Sequence, residues 1–406
     1  MTKWLKINRK RNNLEVATAV NALWLLSLTI IYHDVVFKEK SNMKKILLGS
    51  TALVAAGMIA SAPASAKIKL GVGGYMEQWV GYVSQDDVGD SDFSGIDVKS
   101  DGEVHFKGST KLDNGMTVGV NVQLEANSGG DMIDESYLIL KGGFGEINIG
   151  SENSAQYKMQ YGPVAYGIGF NSGDQSAWVN TGGTISQSGH YRAPLGSTNV
   201  EANGVNDSER LTYYTPRVNG FQLGVTYMPS SSEDSNTTPD RNAVKSDYVS
   251  VGANFNQKMG GMSVKVSAGY GTVTDAESGA GSDSEPQATN FGVRLGMGAF
   301  GVNIASVNFE DSGTSDGTGI AGSITYKSGP MGVSLGYLHG EREGYAAKSG
   351  QAEADVFHLS AKYSLGSGVT WASTIGTVTY TTDDPALAAN DDHTGTYVVT
   401  GLKVGF

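Results

Sequence analysis

Over most of its length the chain alternates apolar and polar side chains with a period of two. Phe221, Leu223, Val225 and Tyr227 interleave with Gln222, Gly224 and Thr226, and Met331, Val333, Leu335 and Tyr337 with Gly332, Ser334 and Gly336. Met116, Val118, Val120, Val122 and Leu124 repeat the pattern against Thr117, Gly119, Asn121 and Gln123. Such a period gathers the apolar side chains on one face of a strand. No segment carries a sustained helical stripe. The pattern predicts roughly sixteen strands, near 68–84, 95–112, 116–126, 134–142, 145–151, 208–216, 220–228, 246–256, 262–274, 288–298, 300–310, 318–327, 331–340, 352–365, 369–380 and 394–406. One apolar and one polar face suit a half-buried sheet, or a barrel with lipid outside and water inside.

The connections narrow the choice. Asp113-Asn114-Gly115, Gly143-Phe144, Arg217-Val218-Asn219, Ala299 and the stretches 257–261, 328–330 and 366–368 are tight turns, rich in Asn and Gly as hairpins require. Between them come longer acidic stretches of Ser, Gly and Asp, at 85–94, 229–245, 275–287 and 381–393. Short turns at one end and long polar loops at the other is the asymmetry of a transmembrane barrel. A soluble sandwich has no reason to sort its loops by end. The stretch 152–207 stands apart, with Tyr157, Tyr161, Tyr166, Phe170, Trp178 and Tyr191 and no strand-like run. So long a loop is either functional or a floppy surface excursion. Folded inward, it would narrow the lumen.

The start of the chain reads as targeting. From Met43, Lys44 and Lys45 precede an apolar run from Ile46 to Ile59 and then Ala64-Ser65-Ala66, the layout of a secretory signal peptide with cleavage after Ala66. A second apolar run, Val16 to Tyr32, lies upstream; we read residues 1–42 as an extension from a start placed too early, 43–66 as the signal peptide, and 67–406 as the exported barrel. Removing 1–66 leaves 20 basic and 38 acidic residues, a net charge of −18 against −12 for the whole chain. That balance argues against a nucleic-acid surface and predicts a modest preference for cations. No cysteine is present, which excludes disulfides, thiolate metal sites and a cysteine nucleophile.

Catalytic motifs are missing. Gly71-Val72-Gly73-Gly74 and Gly167-Ile168-Gly169 open no predicted helix, so they offer no phosphate cradle. The histidines of 67–406, at 105, 190, 339, 358 and 393, show no metal-ligand spacing, and no metal or other cofactor is expected. Asp86-Asp87 and Asp391-Asp392 could at most hold a divalent cation weakly in a loop. Strand parity is more informative. Glu103, His105 and Lys107 oppose Val104 and Phe106, so they face the lumen; by the same parity Lys69, Arg210, Lys265, Arg294, Lys362 and Lys403 point inward. Lipid-facing charge costs about 2–4 kcal/mol near the bilayer midplane. Lys107, His105, Arg210, Lys265 and Arg294, with Glu152 and Asp174 from the long loop, are the candidate constriction residues. They either set a field across a narrow water column or merely hydrate the wall.

In the last strand Thr396, Val398, Thr400, Leu402, Val404 and the terminal Phe406 share one face, with Lys403 on the other. Signal peptide, sixteen amphipathic strands, long third loop and aromatic-ended last strand together resemble the general bacterial porins. The segment Arg210-Leu-Thr-Tyr-Tyr-Thr-Pro-Arg-Val-Asn-Gly-Phe-Gln-Leu-Gly-Val-Thr-Tyr-Met-Pro229 is similar to the strand–turn–strand after that loop in proteobacterial members, in particular the alphaproteobacterial, Neisseria-like branch. The resemblance implies an all-β, sixteen-stranded antiparallel transmembrane barrel with the third loop folded into the lumen. It implies a homotrimer in outer-membrane lipid that passes small hydrophilic solutes by diffusion, without catalysis and without a nucleic-acid partner. It also implies that Phe406 is read by the barrel-assembly machinery. The third-loop signature Pro-Glu-Phe-Gly of enterobacterial relatives is missing, so constriction residues do not transfer one by one. A channel selective for a sugar or an anion is the alternative, through the aromatics of 157–178.

Overall fold

A computed structural model describes residues 68–406 except 88–89, 127–131, 171, 181–199, 203–204, 233–237, 242–243, 276–284, 311–315, 344–350 and 383–391. The signal-peptide residues, Ala64 and Ala66 among them, lie outside the described residues, as does Asp391.

Sixteen strands follow in order: β1 (Lys69–Gln85), β2 (Gly95–Lys111), β3 (Thr117–Glu125), β4 (Ile133–Gly142), β5 (Gly145–Ser151), β6 (Glu209–Tyr214), β7 (Phe221–Ser230) and β8 (Ser246–Met259) form the first half. β9 (Met262–Asp275), β10 (Gln287–Met297), β11 (Phe300–Glu310), β12 (Gly317–Ser328), β13 (Met331–Glu343), β14 (Gln351–Gly366), β15 (Val369–Thr382) and β16 (Asp392–Gly405) form the second. Each pairs antiparallel with its neighbours in sequence, and β1 pairs with β16 to close the barrel. Closure leaves no edge, so every ladder group can be satisfied within the wall, as a bilayer demands.

The period of two becomes two surfaces. Leu223, Val225, Phe291, Ile304, Leu335, Phe357, Leu359 and Ile375 are exposed on the outside. Their neighbours Thr226, Asn290, Asn303, Ser334, Ser360 and Thr374 are buried on the inside. Outward aromatics touch across strands, Phe221 with Phe255 at 4.6 Å and Phe300 with Tyr326 at 5.0 Å beside short turns, and Tyr337 with Phe357 at 4.5 Å further along β13 and β14. Aromatic girdles of this kind sit at the two membrane interfaces.

The seam is made by β1 and β16 in the register Glu77↔Lys403, with an ion pair of 3.0 Å between those two side chains. Gly74 and Phe406 extend it by exchanging backbone hydrogen bonds of 3.0 and 3.1 Å. Gly74 has φ of 149°, and a Cβ there would sit 2.1 Å from the Glu103 carbonyl oxygen. Only glycine fits this strand crossing.

Candidate functional site

The segment 152–207 leaves β5 and rejoins the wall at β6. Its first residue, Glu152, is buried; Asn148 donates to it at 2.9 Å and Lys158 forms an ion pair with it. Burial pushes the Glu152 carboxyl above the usual range, while Lys158 pulls the other way. The short helix α1 (Ala155–Lys158) follows. Ala155 donates its N–H to Thr226 Oγ1 at 2.8 Å, and Gln156 donates to the Ala288 carbonyl at 2.9 Å while accepting from Tyr248 at 3.0 Å.

Beyond α1 the chain is extended and has no strand partner, so its backbone donors need other acceptors. Hydroxyls of the wall supply them in sequence. Tyr161 N–H donates to Ser267 Oγ at 2.8 Å, and Val164, Tyr166 and Ile168 donate to Ser323, Ser334 and Thr374, each at 3.0 Å. Close approach needs missing side chains: a Cβ on Gly292 would lie 1.9 Å from the Tyr161 carbonyl oxygen. Small and hydroxylated positions of β7–β15 are thus seats for this segment.

Apolar packing and a buried ion pair complete the attachment. Phe170 stacks on His358 at 4.7 Å, and His358 Nε2 shares a 2.5 Å hydrogen bond with the Tyr397 hydroxyl. After α2 (Ser172–Ser176), Trp178 and Val179 join Trp79, Tyr397 and Val399 in one buried cluster. Val205 joins Met228, Tyr248 and Phe309 in another. Glu201 and Arg210, both fully buried, pair at 3.2 Å, and Arg210 also donates to the Ser208 and Val205 carbonyls. Burial pushes Glu201 up to about 7 in spite of Arg210.

Cross-strand register puts Lys69, His105, Lys107, Arg210, Lys265, Arg294, Lys362 and Lys403 on the face that carries the buried Asn121, Asn148, Ser267 and Asn303. Their surroundings differ. Arg210 is spent in its pair with Glu201, and Glu152 in its pair with Lys158. Lys265 and Arg294 lie 5.4 and 5.8 Å from the Tyr161 ring, and Arg294 Nε donates to the Gly162 carbonyl at 2.5 Å. Lys362 sits 4.0 Å from the Tyr166 ring. His105 lies 2.6 Å from Glu103, which also accepts from the Tyr75 hydroxyl at 2.9 Å. Lys107 is exposed in a cavity of ≈ 670 Å³ shared with Lys69, Asn121, Tyr137, Lys141 and Glu146. Asp174 lies in α2 with its carboxylate against Gly169. Phe406 is exposed beside the seam.

Sequence reasoning missed Lys158, Glu201 and the aromatic seats Tyr248, Phe309, Tyr380 and Tyr397. The signal was present: on the stretches of β7–β16 nearest the long loops, apolar residues occupy the inner parity as well. Sequence reasoning placed Glu103 on the lumen face but missed that Glu125 and Asp134 join it, the three carboxylates having oxygens within 4.8 Å of one another. Of the acidic pairs singled out as weak cation sites, Asp86 accepts from the Thr394 N–H at 2.7 Å and so fixes the start of β16.

Charge on the inner face sorts along the strands. Lys107, Lys111, Lys141, Lys258, Lys265, Arg294, Lys327 and Lys362 each fall within the five strand residues nearest a short turn, and Lys69 and Lys403 lie level with them at the free ends of β1 and β16. The acids there or level with them are paired, Glu146 with Lys141 at 2.9 Å and Glu77 with Lys403. Toward the long loops stand Asp101, Glu103, Glu125 and Glu135, with Glu103 paired to His105, Lys99 to Asp97 and Arg210 to Glu201.

The family profile described as Gram-negative porin matches residues 49–383. Among solved structures, the chain is similar to an anion-selective porin from Comamonas acidovorans, with TM-score 0.54 and 17% identity over 84% of this chain and 100% of that one. It is also similar to Salmonella typhi OmpF in complex with daunomycin, with TM-score 0.56 and 13% identity over 84% and 98%. The outer membrane channel DcaP of Acinetobacter baumannii gives TM-score 0.53 and 11% identity over 86% and 100%. No curated protein sequence matches the chain.

Proposed function

From the premise that this chain belongs to the Gram-negative porin family, we propose that it forms a general diffusion pore whose narrowest part is set by the segment 152–207 lying inside the barrel. The chain is an outer-membrane β-barrel channel; size and charge filtering need no chemistry. The observation that carries the finer reading is the row of wall hydroxyls that receive the backbone of 161–168, a mode of attachment available only to a chain lying against the inner face. On this reading the water path runs between that segment and the strip of β2–β4 bearing His105, Lys107 and Tyr137. Lys158 borders it from the loop side, within 3.4 Å of the Tyr137 hydroxyl. Lys265 and Arg294 edge it near Tyr161. Arg210, Glu152 and the α2 residue Asp174 hold the segment.

Purified protein in liposomes should admit neutral sugars at rates that fall steeply and smoothly with solute size. A saturable rate for one sugar or anion alone would replace this reading by the selective alternative. The protein is read as a homotrimer in outer-membrane lipid, delivered by the barrel-assembly machinery. Membership of the alphaproteobacterial, Neisseria-like branch rests on the segment from Arg210 to Pro229. Cleavage is placed after Ala66 by the Ala64-Ser65-Ala66 motif. Amino-terminal sequencing of the envelope protein should then begin at Lys67, and a start anywhere before Met43 would refute the signal peptide.

A further inference from the structure

Register sets Lys107, Asn121 and Tyr137 side by side on β2, β3 and β4, and the next level toward the short turns holds Lys69, Ser109 and Gly119. All six line the cavity of ≈ 670 Å³, which extends from the contact of Lys158 with Tyr137 toward the short turns. Short turns of such barrels face the periplasm, so this patch flanks the segment 152–207 on its periplasmic side. Asn121 is the anomaly in it. Its side chain is 2 % exposed, yet neither Nδ2 nor Oδ1 meets a partner among the described residues. An amide buried in that way costs about 1–3 kcal/mol, so it asks for a reason other than stability.

We propose that this patch is a weak subsite for sugar acids, small polyhydroxylated carboxylates, in transit through the pore. The proposal rests on the channel reading and adds one retained class of solute to it, while neutral sugars still pass according to size. Charge selects the anion. Lys141 is held by Glu146 at 2.9 Å, whereas Lys69 and Lys107 stand exposed to the cavity. Directly opposed residues of paired strands have Cβ atoms about 5 Å apart, so the Lys107 ammonium and the Asn121 amide reach one ligand. The amide selects the hydroxyls. It presents a donor and an acceptor in one plane: Nδ2 donates to a carboxylate or hydroxyl oxygen, and Oδ1 accepts from a hydroxyl. Ser109 adds a further hydroxyl, and Gly119 carries no side chain, so a chain of carbons can lie against the wall there. An acid without hydroxyls leaves Oδ1 unmatched, and a neutral sugar leaves the lysines without counter-charge. Both halves of the ligand are needed.

The test is the current noise of the full-length exported protein in a planar bilayer at about 0.1 M KCl, with potassium gluconate as the probe. Each bound gluconate interrupts the current reversibly, and the added noise should saturate with a midpoint on the order of 10 mM. Acetate has the charge without the hydroxyls, and glucose the hydroxyls without the charge; each should need a concentration at least about tenfold higher. Asn121→Leu exchanges an unpartnered buried amide for an apolar group of similar size, a change of little cost to folding, and should raise the gluconate midpoint at least about fivefold. Lys107→Gln should raise it by a similar factor, and Lys258→Gln, beside a different short turn, should leave it in place. Folding of each variant is checked by heat-modifiable migration. Open channels without gluconate noise overturn the proposal, as does an equal response to acetate or to glucose. A midpoint unmoved by Asn121→Leu or Lys107→Gln, or moved as far by Lys258→Gln, overturns it too. Should Asn121→Leu fail to fold, the comparison of the three probes on the unaltered channel still decides. Absence of any conductance would instead overturn the channel reading.

Discussion

The buried pair Glu201–Arg210 shows how one residue can be drawn two ways. Its carboxylate lies 3.2 Å from the guanidinium, yet burial raises it from an ordinary 4.5 to about 7. The folded state therefore keeps a proton that the unfolded chain releases. The stability contributed by that proton is complete below about 4.5 and is lost as pH rises through about 7. Urea unfolding in detergent should show the barrel weakening over that interval, and Glu201→Gln should flatten the dependence. Above pH 7 the same variant leaves Arg210 buried beside a neutral amide, a loss of about 3–5 kcal/mol by the general cost of breaking such pairs. The double variant Glu201→Met with Arg210→Met should recover most of it. The same pair shows what a sequence hides: parity places Arg210 on the inner face, but only the folded segment reveals that its charge is consumed.

At the scale of elements, the strands were open to reading because each sits between water and lipid, and that boundary writes its period directly into the residues. β5 (Gly145–Ser151) and β11 (Phe300–Glu310) coincide with the segments expected from alternation alone. The segment 152–207 was far less legible. Its contacts join residues more than a hundred positions apart, such as Val164 with Ser323 and Ile168 with Thr374, and no local pattern encodes the partner. Its helices α1 and α2 are single turns, too short to leave a helical stripe. β16 supports a further expectation. Phe406 is exposed on the outer parity, and its backbone completes the seam through Gly74. Deleting it removes two hydrogen bonds and one interfacial aromatic, leaving the segment 152–207 and the wall strip of β2–β4 untouched. The folded fraction in outer-membrane preparations, measured by heat-modifiable migration, should fall several-fold, while the conductance of each surviving pore stays near that of the parent. An unchanged yield would place the assembly signal elsewhere.

For the whole molecule, the net charge of −18 on residues 67–406 suggested a cation preference. The distribution now matters more than the sum. Glu152 and Arg210 drop out of the tally because each is paired, while the wall near the short turns carries Lys69, Lys107, Lys258 and Lys327, which the total conceals. Those inward cations oppose the overall negative charge, so the preference should be weak. Reversal potentials in a KCl gradient around 0.1 M should give a potassium-to-chloride permeability ratio within about a factor of two of unity, approaching unity at 1 M. A strong anion preference that persists at high salt would put control at Lys107, Lys265 and Arg294 alone.

The seam has a bearing on biogenesis. Thr394 and Asp86, which meet across it, are 308 positions apart in the chain. Fifteen of the barrel's ladders can form between strands adjacent in sequence, but the sixteenth joins the first strand to the last. Until that join is made, β1 and β16 each present a bare row of donors and acceptors, the kind of edge that recruits other chains. The polypeptide must therefore cross the periplasm and reach the membrane with its two ends still unmatched, protected by something other than its own fold. Loss of either end strand to a protease would turn a sealed cylinder into an open, sticky sheet. Intactness is thus built into the ring: without both end strands the sixteenth ladder cannot form and an edge stays bare.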